Sequence, residues 1–154
     1  MVILEYRNLG NGDFEKLSDL LKTVMKNDSY AFRYDVVSSS SEFANLFQHK
    51  LDGINSGNVI DIVACENKEI IGECEIVKDG YSGKLGILLN NDYKHMGIGS
   101  GILQFAISKA KEIGIKYVLA ETVRENKIAI SFFKKNNFSV KAGSKTTTVL
   151  GAII

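Results

Sequence analysis

The chain has 154 residues, 45% of them hydrophobic and 24% charged, with 19 Lys+Arg against 18 Asp+Glu. That length suits a single domain over residues 1–154, which buries a sizeable core without needing a disulfide or a metal. A formal net charge of +1 supplies no strong basic field, so neither nucleic acid nor an anionic membrane is expected as a partner. No apolar run approaches the ~20 residues that span a bilayer. Glu5 and Arg7 stand too close to Met1 for a signal peptide, so a cytoplasmic protein is expected.

Residues 2–6 read as a first strand. Phe14, Leu17, Leu20, Leu21 and Val24 then recur at helical spacing, with Asp13 as the expected N-cap. Ser38-Ser39-Ser40-Ser41 is placed to cap a second helix carrying Phe43, Leu46, Phe47 and Leu51. Residues 52–58 read as a Gly/Asn/Ser loop. Strand-like runs at 60–65, 70–77 and 84–89 follow, joined by short turns such as Asp79-Gly80, and predict an antiparallel meander.

Cys65 and Cys74 flank Glu66-Asn67-Lys68-Glu69, which reads as a hairpin turn. With Asn67-Lys68 as a two-residue loop, Cys74 pairs with Asp61, and the thiols lie about 13 Å apart along the strands. That is beyond a disulfide, so two reduced core thiols are expected. His49 and His95 stand apart from any Cys or Asp cluster, and no metal site is expected.

Residues 90–99 are polar and contain glycine, and they feed a well-marked helix. Ile102, Leu103, Ala106, Ile107, Ala110 and Ile113 form its apolar face, and Gly114 ends it. A strand over 115–122, a helix over 126–136 with Ala129, Phe132 and Phe133 inward, and strands at 138–141 and 146–150 complete the chain. The strand–helix–strand unit implies a parallel pair with a right-handed crossover. The fold class is α+β (mixed α/β): a central, mostly antiparallel sheet with one parallel pair and helices on both faces.

The loop before the third main helix is the informative segment. Its glycines let backbone N–H groups converge where the helix dipole also favours an anion, and a diphosphate suits that geometry. A glycine-relaxed turn without a ligand would look the same from this loop alone. A P-loop needs Gly-Lys-Ser/Thr, whereas Gly99 is followed by Ser100-Gly101. A dinucleotide fold places Gly-x-Gly-x-x-Gly directly after the strand. Here seven residues separate Leu89 from Gly97 and the third glycine comes one position early, although Glu121 superficially suits the ribose role.

A third scheme fits. Lys94-His95-Met96-Gly97-Ile98-Gly99 resembles the acetyl-CoA-binding loop of the GNAT (N-acetyltransferase) superfamily, Arg/Gln-x-x-Gly-x-Gly/Ala. Asn126 with Ala129, Phe132, Phe133 and Phe138 is similar to the family's downstream helix, Asp13 to its entry aspartate, and Gly72 to the glycine of its third strand. The likeness runs along essentially the whole chain. Departures are Lys94 for the usual Arg/Gln, Asn91 for a common proline, Asn137 for the glycine before Phe138, and Phe133 for the tyrosine that many members use as general acid.

The resemblance implies an acetyl-CoA-dependent N-acetyltransferase of the GNAT-like fold, with the parallel pair splayed around the cofactor. Backbone groups of Ile87, Leu88 and Leu89 would bind pantetheine as an added strand edge, an N–H near Leu89 polarising the thioester carbonyl. Amides of His95, Met96, Gly97, Ile98, Gly99 and Ser100 would take the pyrophosphate, Lys94 and His95 adding positive charge. Asn126 would contact the pantetheine arm or orient the acceptor side of the site, and Phe133 would sit at the cofactor's sulfur. Glu121 is the expected base, by its spacing from Asn126 and its likeness to ribosomal-protein N-terminal alanine acetyltransferases. An ordinary strand-end carboxylate is the competing reading, with Glu73 and Glu75 in reserve. Tyr93, Tyr117, Tyr81 or water would replace the missing acid.

The expected acceptor is a small-molecule amine or a peptide N-terminus; Asp28, Tyr30, Tyr34 and Asp35 are candidate lining, although a solvated inter-helix loop is the preferred reading of them. The apolar end Ala152-Ile153-Ile154 suggests a homodimer. The competing function is a non-catalytic acyl-CoA-binding or regulatory domain, and a nucleotide-binding module stands third.

Overall fold

Strand alternation and helical spacing produce the elements in the predicted order. The computed structural model describes residues 4–27 and 40–154. These are β1 (Leu4–Asn8), α1 (Phe14–Asn27), α2 (Ser40–Asn55), β2 (Val59–Glu66), β3 (Glu69–Asp79), β4 (Ser82–Leu89), α3 (Ile98–Glu112), β5 (Tyr117–Val123), α4 (Lys127–Lys135), β6 (Ser139–Gly143) and β7 (Thr147–Ile153). The strands form one seven-stranded sheet in the order β1-β2-β3-β4-β5-β7-β6. Among the described residues only β4 and β5 run parallel, joined through α3.

Each face of the sheet carries its own core. Ile62, Ala64, Cys74, Ile76, Leu85, Val118, Ala120 and Leu150 pack against Ile98, Ile102, Leu103 and Ala106 of α3 and Phe133 of α4. On the other face Val63, Cys65, Ile70 and Leu88 pack against Leu17, Leu20 and Leu21 of α1 and Phe43 and Phe47 of α2. The second cluster draws on β2, β3 and β4 but on neither β5 nor β7.

Several expectations are corrected. β1 begins at Leu4 and runs to Asn8, and residues 2 and 3 lie outside the described residues. Asp13 does not cap α1 with its side chain. It ends a one-turn 3-10 helix (Asn11–Asp13), and its carboxylate accepts from the Gly10 N–H at 2.8 Å and from Arg7 at 2.7 and 2.8 Å. Burial alone would raise its pKa, but the Arg7 and Gly10 hydrogen bonds outweigh that and hold the carboxyl below the usual range. α2 continues to Asn55 through most of the expected loop, ending just before Gly57, whose φ is +79°.

The hairpin register also differs. A bulge between Ala64 and Cys65 shifts the pairing, so Cys74 lies opposite Ile62 rather than Asp61. Both cysteines are free and buried, and they face opposite cores, Cys74 towards α3 and Cys65 towards α1 and α2. Burial raises both thiol pKa values, Cys74 well above the ordinary range. At the C-terminus Ala152 is buried whereas Ile153 is exposed.

One contact ties the first strand to the site helix. Tyr6 of β1 lies over Gly101 of α3, its ring 6.1 Å from that of Phe105. A Cβ at position 101 would collide with the Tyr6 hydroxyl and stand 2.9 Å from Cζ. Gly101→Ala gains helix propensity of up to about 1 kcal/mol, yet overpacking costs about 1–3 kcal/mol. A Tm a few degrees below wild type is expected on thermal unfolding, and a raised Tm overturns this packing account.

Candidate active site

The parallel pair is short. Its register runs Ser82↔Tyr117, Gly83↔Val118, Lys84↔Leu119 and Leu85↔Ala120, and then stops. Beyond it residues 86–89 remain paired with β3, and residues 121–123 remain paired with β7. The two strands therefore part, leaving a gap edged by unsatisfied backbone. The direction of those groups follows from alternation. Asn90 N–H donates to Ile71 O of β3 at 2.8 Å. Leu88 thus also faces β3, whereas the N–H and C=O of Ile87 and Leu89 face the gap.

At the end of the gap the chain turns sharply into α3. The Asn90 side chain accepts from Asp92 N–H and holds a 3-10 turn over Asn91–Tyr93. His95 has φ +66° and Gly97 φ +79°, so left-handed residues flank Met96 and double the chain back. Alternating conformations of this kind turn successive amides towards one concavity. Gly97 is the N-cap, and Gly101 N–H donates back to Gly97 O at 3.0 Å. The amides of Ile98, Gly99 and Ser100 thus precede the first intrahelical bond and carry the positive end of the helix dipole. A pyrophosphate matches these donors, and an extended pantetheine matches the edge of β4.

The other predicted site residues fall into distinct places. Asn126 caps α4, its side chain accepting from Ala129 N–H at 3.1 Å. Phe133 is only 4% exposed, packed between Phe132 and Phe138 with ring centroids at 5.3 and 5.1 Å. It is Phe132, not Phe133, whose ring covers Gly99, 3.2 Å from where a Cβ would stand. Asn136 donates to Ser100 Oγ at 3.2 Å and to Phe132 O, tying α4 to the first turn of α3. Sequence reasoning missed both links, because they depend on how α4 lies against α3. In the same loop His95 and Met96 are exposed and Lys94 is half-buried.

Glu121 is exposed, and its neighbours Ala120 and Thr122 are buried towards α3. Its side chain therefore points to the opposite face, that of α1 and α2. There it helps to line a groove of about 350 Å³ with Asp79, Ser82, Lys84, Leu119 and Val149. Tyr117 and Tyr81 belong to the far end of the parallel pair. Tyr117 is four residues before Glu121, about 13 Å along the strand, and Tyr81 stacks beneath Lys116. Neither is near the gap. Tyr93 belongs to the turn before α3, where the nearby Glu66 carboxylate of β2, more than burial, raises its hydroxyl pKa. Asp28, Tyr30, Tyr34 and Asp35 lie outside the described residues.

Glu73 and Glu75 belong to a buried charged group that the sequence did not reveal as one. Lys50 of α2 reaches down to Asp61 of β2 at 3.1 Å, Glu73 at 3.1 Å and Glu75 at 2.6 Å. Acidic residues within the apolar runs of β2 and β3 were the available signal. Lys50 was missed because its partners lie 11 or more residues away in sequence.

Comparison with known proteins shows the family and the fold. Residues 25–138 match the acetyltransferase (GNAT) family, and the chain belongs to that family. An acetyltransferase of the GNAT family from Streptococcus pneumoniae shares 22% identity and superposes with a TM-score of 0.83, with 99% of each chain covered. PaiA N-acetyltransferase from Thermoplasma acidophilum, solved in complex with coenzyme A, shares 20% identity with a TM-score of 0.79 and the same coverage. Ribosomal-protein-alanine N-acetyltransferase from Brucella melitensis shares 16% identity with a TM-score of 0.81, covering 97% of this chain and 99% of that one. Among the described residues no helix is long and apolar enough to cross a membrane.

Proposed function

We propose that the chain works as one N-acetyltransferase domain that moves the acetyl group of acetyl-CoA directly to a primary amine, in a ternary complex. The observation that best supports this is the loss of β4–β5 pairing after Leu85↔Ala120, which aims Ile87 and Leu89 backbone groups into a gap ending at the N-terminus of α3. Acetyl-CoA supplies the activated acyl group. The Ile87 and Leu89 edge binds the pantetheine arm, and amides 95–100 bind the pyrophosphate. Leu89 N–H donates to the thioester carbonyl, where negative charge grows during attack. Glu121 takes the proton that an ammonium must lose before it can attack. As the C–N bond forms the C–S bond breaks, one proton passes to the departing sulfur, and one passes through Glu121 to solvent. The acceptor is a small amine or a peptide N-terminus. Release of free thiol from acetyl-CoA on addition of amines tests the reading, together with calorimetric titration of coenzyme A. Amine-independent release alone would leave it without support.

Phe133 favours the second reading, a non-catalytic acyl-CoA-binding domain, because no hydroxyl stands at that position. The magnitude argues otherwise. A thiol of pKa about 8.5 leaving unprotonated at pH 7 forfeits only about 2 kcal/mol. Phe133→Tyr is expected to leave turnover intact or modestly raised while lowering the Tm, since a hydroxyl added to that core costs about 1–3 kcal/mol unless it finds a partner. A large loss of turnover in folded protein would show that packing at this position governs the site.

A further inference from the structure

Asp61, Glu75 and Glu121 stand in one row across the sheet. Asp61 pairs with Glu75, Glu75 with Gly86, and Glu121 follows Ala120, the partner of Leu85. Gly86 and Glu121 are therefore neighbours at the point where the strands part. The odd-numbered acids share a face, the one that α1 and α2 pack on, because Cys74, Ile76 and Ala120 face the other core. Between Glu75 and Glu121 stands a residue without a side chain.

We propose that Glu75 is an acceptor-binding carboxylate, and that the acceptor's primary ammonium sits over Gly86 between Glu75 and Glu121. The proposal rests on the acetyltransferase reading and adds the residue that grips the acceptor. Three observations carry it. Glu75 is the only member of the buried group with an appreciably exposed side chain, 23% against 0%, 1% and 4% for Asp61, Glu73 and Lys50. Asp61 Oδ1 is buried without a hydrogen-bond partner, and Glu73 Oε2 accepts no hydrogen bond despite its nearness to Lys50. Three carboxylates thus converge on the single Lys50 ammonium. The group holds more acid than base, and Glu75 is the member placed to receive a second cation on its exposed side. Glu75 and Glu121 have Cα atoms two strand spacings apart, about 10 Å, so a primary ammonium over Gly86 reaches both carboxylates, while Lys84 lines the groove beside Glu121 from the Ser82 end. Lys50 is a positioning residue: its 2.6 Å contact fixes the Glu75 carboxylate.

Calorimetry on the coenzyme A-saturated protein tests this with butylamine, a short peptide bearing a free alanine N-terminus, and 1-butanol as the neutral isostere. One or both ammonium probes are expected to bind, at least tenfold more weakly to Glu75→Gln, and butanol is expected not to bind. Which probe binds tells a small amine from a peptide N-terminus. Glu75→Gln leaves Lys50 paired with Asp61 and Glu73 and is expected to fold. If it does not, the contrast of amine and butanol on the wild-type protein decides. Equal amine affinity in wild type and variant, butanol binding as tightly as butylamine, or no amine binding at all overturns the proposal. Titrating coenzyme A beforehand keeps the two readings apart. Absent coenzyme A binding counts against the acetyltransferase reading, whereas amine affinity lost in Glu75→Gln, measured then on the free protein, still supports the Glu75 site.

Discussion

Lys50→Ala is expected to destabilise the protein by about 3–5 kcal/mol, the usual cost of removing one partner from a buried ion pair. Lys50 is 4% exposed and lies within 3.1 Å of Asp61 and Glu73 and 2.6 Å of Glu75, so its loss leaves carboxylates facing one another under α2. The expected readout is a lower urea midpoint at pH 7, with a deficit that narrows as acid neutralises the exposed repulsion. A loss below about 1 kcal/mol would show that water reaches the group and screens it.

The same group sets a pH dependence. Burial, then the neighbouring Glu73 carboxylate, push Asp61 well above the ordinary carboxylate range in spite of Lys50. The sign follows. Between the unfolded pKa of about 3.9 and the raised folded value, the native state holds a proton that the unfolded chain has released. Stability therefore falls as pH rises through that window, by up to about 1.4 kcal/mol per pH unit for one full proton. Asp61→Asn is expected to flatten that slope relative to wild type when urea midpoints are measured at several pH values. An unchanged slope would assign the proton elsewhere.

The second large effect concerns turnover. Glu121→Gln is expected to lower kcat by about 10²–10⁴-fold, the range that a positioned general base contributes, with little change in coenzyme A affinity. The glutamine keeps the shape of the side chain at the edge of the groove, so binding through amides 95–100 and the β4 edge is untouched. The deficit is expected to shrink as pH rises. An alkylammonium of pKa near 10.4 is about one part in a few thousand free amine at pH 7, and that fraction grows tenfold per pH unit. Turnover unchanged across pH would remove Glu121 from the role.

The meander, the α3 face and the two-helix entry were all legible, because each rests on local periodicity. The loop before α3 was legible for a different local reason: Gly97 and Gly99 beside a helix start already implied converging amides. Asn126 was legible as part of a family pattern, and its local hydrogen bond to Ala129 explains its place at the start of α4. The β2–β3 register was not, since a bulge at Ala64 and Cys65 reflects packing on both faces rather than the turn. Nor was the end of α2, where Gly53 and Ser56 suggested a loop but the helix continued to Asn55.

By itself, the sequence determined what depends on near neighbours: which segments are helix or strand, where their apolar faces lie, and that a glycine-bearing turn opens α3. Tertiary structure alone decided what depends on distant segments meeting. The end of β4–β5 pairing after Leu85↔Ala120, Phe132 rather than Phe133 over Gly99, and Lys50 among Asp61, Glu73 and Glu75 are of that kind. The physical reason is that a side chain's charge state and reach are set by whatever packs across from it, and that partner is chosen by the fold.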